Sequence, residues 1–133
     1  MIDVESIIFD RVATKYSEQY PDGSRYGEMT ETPARFPCLT LIETDNATYD
    51  FSLDAQMKEH HARLTYEANV YSQLTYGAKQ QCQDIMNLVD NEMLSMGFTR
   101  LFCNQTKSVD PRIYRMTARY RAVISEDGMI YRR

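Results

Sequence analysis

The sequence contains few residues of the kinds on which most small-molecule chemistry depends, with 5 glycines, 3 cysteines, 2 histidines and no tryptophan among 133 residues. None of the glycines forms a G-x-G or Walker pattern, which argues against a glycine-rich phosphate loop. There is no G-x-S-x-G element, and no cysteine has a histidine at a spacing that suggests a nucleophile pair. The sequence therefore offers no residue set from which to argue an enzyme, a catalytic site or a bound cofactor.

The histidines and cysteines do not predict a metal site. His60 and His61 are adjacent, and successive residues of a strand point to opposite faces, so the two imidazoles cannot easily bind one metal ion. Cys38, Cys82 and Cys103 are odd in number, widely spaced and each within an apolar pattern. We therefore expect solvated histidines and buried free thiols in a reducing compartment, with no metal ligand and no disulfide.

Long hydrophobic segments are also missing. No apolar run approaches the roughly 18–20 residues that a membrane span needs. The first residues include Asp3 and Glu5, where a signal peptide would have a basic region ahead of a long apolar one. A chain of 133 residues with 43% hydrophobic and 26% charged residues suits one soluble domain with one core. We predict a single domain over residues 1–133, without a membrane partner.

Charge is distributed unevenly along the chain. Residues 98–133 contain eight Lys or Arg and three Asp or Glu, a balance of +5, whereas residues 1–97 contain seven and sixteen, a balance of −9. A basic C-terminal part on an acidic body can meet nucleic acid or the acidic face of a neighbouring copy. Binding of nucleic acid by a free monomer is the weaker alternative, because the net charge is −4.

Two segments have the three-and-four spacing of an amphipathic helix. Residues 77–96 are the clearer case, with Thr75 as a candidate N-cap and Gly97 at the usual C-terminal stop. The apolar positions of this segment are Ala78, Cys82, Ile85, Met86, Val89, Met93 and Met96. Residues 3–20 form the other predicted helix, with Asp3 as a candidate N-cap and Pro21 at its end. Its apolar positions are Val4, Ile8, Val12 and Tyr16, widened by Ile7 and Phe9.

Two longer segments alternate apolar and polar residues, which is typical of strands with one buried face. These are residues 61–71 and 112–124. Shorter strands are predicted at 37–43, 46–53, 98–106 and 129–133, and residues 23–36 read as a long loop of the functional or mobile kind. Because the break between 98–106 and 112–124 suits a hairpin, we predict an α+β fold with an antiparallel or mixed sheet of about four to six strands, packed against the two helices.

The arginines of the strand at 112–124 are the strongest functional signal. Arg115, Arg119 and Arg121 project from one face of this strand, with about 6.5–7 Å between alternate residues. Arg63, on the polar face of strand 61–71, joins them if the two strands are neighbours. The face is either simply solvated or an interface, since arginine forms bidentate contacts with carboxylates and phosphates. We take Arg63, Arg115, Arg119 and Arg121 as candidate interface residues.

In this order of elements the chain resembles the tail terminator (tail completion) proteins of long-tailed bacteriophages and phage-tail-like particles. The resemblance covers nearly the full length. Its parts are the first helix, the segment Phe36-Pro37-Cys38-Leu39-Thr40-Leu41, the strand at 62–71, the helix ending at Met96-Gly97-Phe98 and the strand at 114–124.

The resemblance implies an α+β domain assembled as a hexameric ring in the virion, at the head-proximal end of the tail, and made in the cytoplasm of the bacterial host. Such a ring stops polymerisation of the tail tube and presents the surface that joins the head. Its partners would be further copies of itself, the tail tube protein, a head–tail connector protein and, in contractile tails, the sheath protein. DNA would at most pass through the ring channel, and the family has no catalytic residues to carry over.

Two alternatives stay open beside the tail terminator. One is another head–tail connector component, such as a stopper or adaptor. The other is a small-molecule-binding domain or enzyme built on the same α+β sheet.

Overall fold

The described residues form two helices and one six-stranded sheet. The computed structural model describes residues 3–28, 33, 35–48, 61–108, 110–125 and 130–131. The elements in chain order are α1 (Glu5–Gln19), β1 (Ser24–Tyr26), β2 (Cys38–Thr48), β3 (His61–Ser72), α2 (Ala78–Ser95), β4 (Thr99–Thr106), β5 (Tyr114–Ser125) and β6 (Ile130–Tyr131). The strand order is β1-β2-β3-β5-β4, with β6 also beside β5. Of the described strand pairs, β1–β2 is parallel and the other four are antiparallel, so the predicted α+β fold with a mixed sheet is confirmed.

A single apolar core lies between the two helices and one face of the sheet. Both long strands bury alternate residues in it, as their alternation predicted. The largest fully buried side chains include Tyr16 from α1, Ile85 and Met93 from α2, and Tyr66 and Tyr120 from the sheet. No helix among the described residues covers the opposite face of the sheet, which we call the helix-free face.

Helix α2 packs across β3 and β5, as expected of an apolar stripe between two strands in sequence. Its predicted stripe is buried except for Ala78, which is half-buried at the first turn. Gly97 ends the helix with φ +97°, a conformation that glycine adopts without strain. The predicted cap at Thr75 is wrong, because Gly77 in a left-handed conformation occupies the N-cap and no side chain caps the helix.

Helix α1 buries Ile8, Val12 and Tyr16, as predicted. Ile7, predicted to widen the apolar face, is instead 66% exposed. The N-cap is Val4, not Asp3, because the carbonyl of Val4 accepts the first helical hydrogen bond, from the Ile8 N–H. The Asp3 carboxylate accepts only a long bond of 3.4 Å from the Glu5 N–H.

The first part of the sheet differs from the prediction in two places. Residues 24–26, expected to lie in a loop, form the short strand β1 beside β2. Three residues are too few to show a periodicity, and their pairing partner lies 14 positions away. The strands expected at 37–43 and 46–53 are one strand, β2, up to Thr48, and residues 49–53 lie outside the described part. A register shift between Glu43 and Asp45 interrupts the alternation and made one strand look like two.

The second part of the sheet follows the prediction more closely. Strands β4 and β5 pair antiparallel as the expected hairpin, and the returning strand β6 pairs with the end of β5. Leu101, predicted on an apolar strand face, is exposed at a register shift between Arg100 and Phe102. The three cysteines are free thiols, as expected, although Cys103 is only half-buried. Burial raises the pKa of the Cys82 thiol to about 12, so this thiol is neutral at pH 7.

A half-buried carboxyl at the bulge of β2 gives the first testable consequence. Glu43 Oε1 accepts a bond of 3.1 Å from the Tyr66 hydroxyl, and burial raises the pKa of this carboxyl above its usual range. A raised pKa in the folded state contributes stability that is complete below the unfolded pKa and is lost as pH rises through the folded pKa.

We therefore expect Glu43→Gln to become more stable relative to the wild type as pH rises from about 4 to about 7. The amide oxygen can still accept the Tyr66 hydroxyl, and no charge has to be buried. Urea unfolding at several pH values measures the difference, with Glu18→Gln on the exposed surface of α1 as the control. A difference between Glu43→Gln and wild type that does not change with pH would contradict it.

A candidate interface on the helix-free sheet face

The four candidate arginines lie on the helix-free face, on two adjacent strands. Strands β3 and β5 pair antiparallel over their whole length, with Glu67 opposite Arg119 and Tyr71 opposite Arg115. Residues directly opposite each other in such a pair point to the same side of the sheet. Arg63 is opposite Val123 on this face, so the condition set for Arg63 by the sequence is met.

The register arranges the middle of this face in three rows that cross four strands. Each row contains one residue from β2, β3, β5 and β4 in that order. The central row is Thr40, Asn69, Thr117 and Asn104. The rows on either side of it are Ile42, Glu67, Arg119 and Phe102, and Cys38, Tyr71, Arg115 and Thr106.

The central row is polar, and three of its four residues are buried. Thr40 and Asn69 are 0% exposed and Thr117 is 3% exposed. Asn69 Oδ1 accepts bonds from Thr117 Oγ1 at 2.7 Å and from Arg115 Nε at 3.0 Å. Because the Thr117 hydroxyl donates its only proton to Asn69, the Thr106 hydroxyl 2.6 Å away is the donor to Thr117. Asn69 is therefore the centre of a hydrogen-bonded network that joins β3, β5 and β4.

Two of the arginines are fixed by contacts within the chain. Arg119 Nη2 lies 3.1 Å from Glu67 Oε1, and its guanidinium carbon lies 5.4 Å from the centroid of the Phe102 ring. Glu67 Oε2 in turn accepts a bond of 3.2 Å from Asn69 Nδ2. Arg115 Nη1 donates to the Lys107 carbonyl at 3.2 Å, and its guanidinium lies 5.6 Å from the Tyr71 ring centroid. These contacts hold two long side chains in one conformation.

The other two arginines are not tied in this way. Arg63 is exposed and Arg121 is half-buried, and neither has an ion pair or a side-chain hydrogen bond with any described residue. Arg63 is opposite Val123 and Arg121 is opposite Thr65, so the two arginines are diagonal neighbours on adjacent strands. Such positions are about 7–8 Å apart, within reach of one anionic partner. The structure thus divides the predicted set into two arginines that organise the face and two that are available to a partner.

Four residues of this site were not predicted from the sequence as site residues. They are Glu67, Asn69, Tyr71 and Thr117, of which the last three are buried. One signal was present: an asparagine in the middle of a long strand is disfavoured unless its side chain is hydrogen-bonded. The alternation alone placed Asn69 on an outward, solvated face.

The described residues show little that suggests small-molecule chemistry. Within them, no three His, Cys, Asp or Glu residues are grouped so that they could hold a metal ion. A groove of about 520 Å³ between α2 and β4 is lined by Asp90, Arg100 and Cys103, among others. The Asp90 carboxylate already accepts bonds of 3.0 Å from Arg100 and from the Tyr120 hydroxyl. Burial raises the pKa of the Cys103 thiol, which keeps it in the less nucleophilic form.

The helices of the described ranges are too short or too polar to cross a membrane. Comparison of the sequence with protein-family models and with curated proteins finds no match. Function is therefore inferred from the fold, from the helix-free face and from the sequence resemblance.

Proposed function

We propose that this chain is a structural assembly protein, a tail terminator that forms a homo-oligomeric ring on the head-proximal end of a phage tail tube. One observation carries the proposal. On the helix-free face, contacts within the chain hold Arg115 and Arg119, while Arg63 and Arg121 are available to a partner. This face belongs to a chain that resembles tail terminators over nearly its full length. The proposed ring, a hexamer, stops tube polymerisation and presents the head-joining surface.

The contacts that hold Arg115 and Arg119 in place support a role in assembly. Association is weakened when long side chains must be ordered on binding, at about 0.5–1.5 kcal/mol for each immobilised side chain. Arg115 and Arg119 are already held by Asn69 and Glu67, so their ordering precedes any contact. Arginine is enriched in interfaces, and four arginines lie on this face.

The proposed partners differ in chemistry and in place. Further copies of the chain form the ring, and contacts between unlike surfaces close such a ring when the rotation between copies allows it. The tail tube protein binds one end of the ring and the head–tail connector protein the other. In a contractile tail the last sheath ring is a further partner, and DNA at most passes through the channel.

Particles assembled without this chain are expected to have overlong tail tubes that are not joined to heads. The reason is that nothing then stops polymerisation at the head-proximal end. Negative-stain electron microscopy measures the tube lengths, and complementation with the wild-type chain is the control. Tails of normal length that fail to join heads would contradict a terminator and support the alternative, a stopper or adaptor.

The α2–β4 groove favours the second alternative, a small-molecule-binding domain, by its volume of about 520 Å³. A monomer in light scattering, together with a ligand-induced rise in melting temperature, would support that function over both assembly roles.

A further inference from the structure

The helix-free face carries positive charge. The described residues that the strand register assigns to this face include four arginines and two carboxylates, Asp45 and Glu67, a balance of +2. Glu67 is paired with Arg119, so it does not compensate the others. Asp45 lies diagonal to Arg63 on the neighbouring strand but makes no ion pair with a described residue. Arg63 and Arg121 are adjacent like charges, which repel each other until an anionic group approaches.

The two helices on the opposite side of the sheet carry negative charge. Helices α1 and α2 together contain six acidic and three basic residues, a balance of −3. Two of the six are engaged within the chain, Glu92 with Arg11 and Asp90 with Arg100. Those left without an ion pair to a described residue include Asp10, Glu18 and Asp84, and all three are exposed.

Two of these carboxylates line a groove between the helices. Glu18 of α1 and Asp84 of α2 lie on its wall, and the groove volume is about 520 Å³. The wall also contains Glu92, which is paired with Arg11, and one cation, Lys15, so the carboxylates outnumber the cation. Leu88, half-buried, gives the groove an apolar floor. An arginine suits such a groove, because its methylene groups pack on an apolar floor while its guanidinium reaches the carboxylates and amide oxygens.

We propose that the helix-free face of one copy binds the helix layer of a second copy, with Arg63 and Arg121 directed at the groove that Glu18 and Asp84 line. The occupant is a second copy of this chain, since the same molecule presents a basic face and an acidic groove on opposite sides of a two-layer domain. The contact is heterologous, so each copy binds one neighbour through each side, and repetition with a closing rotation gives a ring. This inference rests on the proposed function for its biological setting, and it specifies the surfaces of the ring contact.

A charge-exchange experiment tests the contact. Arg63→Glu/Arg121→Glu and Glu18→Lys/Asp84→Lys are each expected to weaken self-association about tenfold or more, and the variant carrying all four substitutions is expected to recover most of it. Sedimentation velocity over a range of protein concentrations measures the assembled fraction. The same assembly should weaken between about 50 and 500 mM salt, where screening shortens the range of charge interactions.

The control variant is Arg25→Glu/Arg35→Glu, which makes the same change in net charge as Arg63→Glu/Arg121→Glu at two exposed arginines that lie on neither β3 nor β5. Circular dichroism melts confirm that each variant is folded. Three results would overturn the proposed contact. The first is that both charge-reversed variants assemble as the wild type does, and the second is that the fourfold variant fails to recover the self-association that they lose. The third is a wild type that is monomeric up to about 100 μM. Tube length is a separate readout. Overlong tubes in particles that lack the chain would support the terminator function even if the contact between copies lies elsewhere. Tails of normal length that are joined to heads would contradict the terminator function, whatever the self-association measurements show.

Discussion

Asn69→Leu is expected to lower the free energy of unfolding by about 2–4 kcal/mol, although no described helix packs on that side of the sheet. Leucine has nearly the shape of asparagine but accepts no hydrogen bond. The buried Thr117 hydroxyl and Arg115 Nε lose their common acceptor, and Glu67 loses a donor. Leaving a buried polar group without a partner costs about 1–3 kcal/mol, more than a solvated group would lose.

Urea denaturation followed by circular dichroism measures the change. Asn104→Leu is the matched control, because Asn104 lies in the same row but is exposed on the edge strand β4, and its effect is expected within about 0.5 kcal/mol. Combining Asn69→Leu with Thr117→Val removes both partners, so the double variant is expected to lose less stability than the two single changes summed. An Asn69→Leu variant as stable as Asn104→Leu would show that the network contributes nothing.

Gly23→Ala is expected to lower the free energy of unfolding by about 2–4 kcal/mol through a steric clash at the end of α1. A methyl group there would collide with the Tyr16 hydroxyl oxygen and lie 2.8 Å from the Pro37 carbonyl oxygen. These two oxygens are joined by a hydrogen bond of 2.7 Å that ties α1 to the start of β2. Neither atom can move away without breaking that bond.

Gly27→Ala is the matched control in the same part of the chain. Among the described residues, a methyl group at Gly27 would meet only the Phe9 ring, at 3.7 Å, an ordinary van der Waals distance. That variant is expected to be unchanged or up to about 1 kcal/mol more stable, because alanine reduces the entropy of the unfolded chain. Adding Tyr16→Phe to Gly23→Ala removes one of the two clashing oxygens and should restore part of the loss. Equal melting curves for the Gly23→Ala and Gly27→Ala variants would contradict the steric explanation.

The sequence predicts those parts of the fold that local periodicity determines. The stripe of α2 and the alternation of β3 and β5 each extend over at least eleven residues of sequence, and the structure confirms a helix and two strands there. Strand β1 has three residues and a distant partner, and the bulge in β2 shifts the alternation by one position. Both features depend on pairing between segments, which no local pattern records.

The candidate interface could be predicted only in part for the same reason. The arginines of β5 were visible because they alternate within one strand. Which arginines are held by the chain and which are available to a partner depends on the cross-strand register. That register brings Asn69 next to Thr117, 48 positions away in sequence. A polar residue that alternates outward is expected to be solvated, and only the register shows that Asn69 is buried among hydrogen-bonding partners.

The most direct test of the central claim is the length of tail tubes assembled from the purified tube protein with increasing amounts of this chain. We expect tubes to become shorter as the chain is added and to carry it at one end only, while Arg25→Glu/Arg35→Glu acts as wild type does. Because a terminator blocks addition of further tube subunits, the effect should saturate when every tube has one ring. Tube lengths that do not change at a molar excess of the chain would contradict the account.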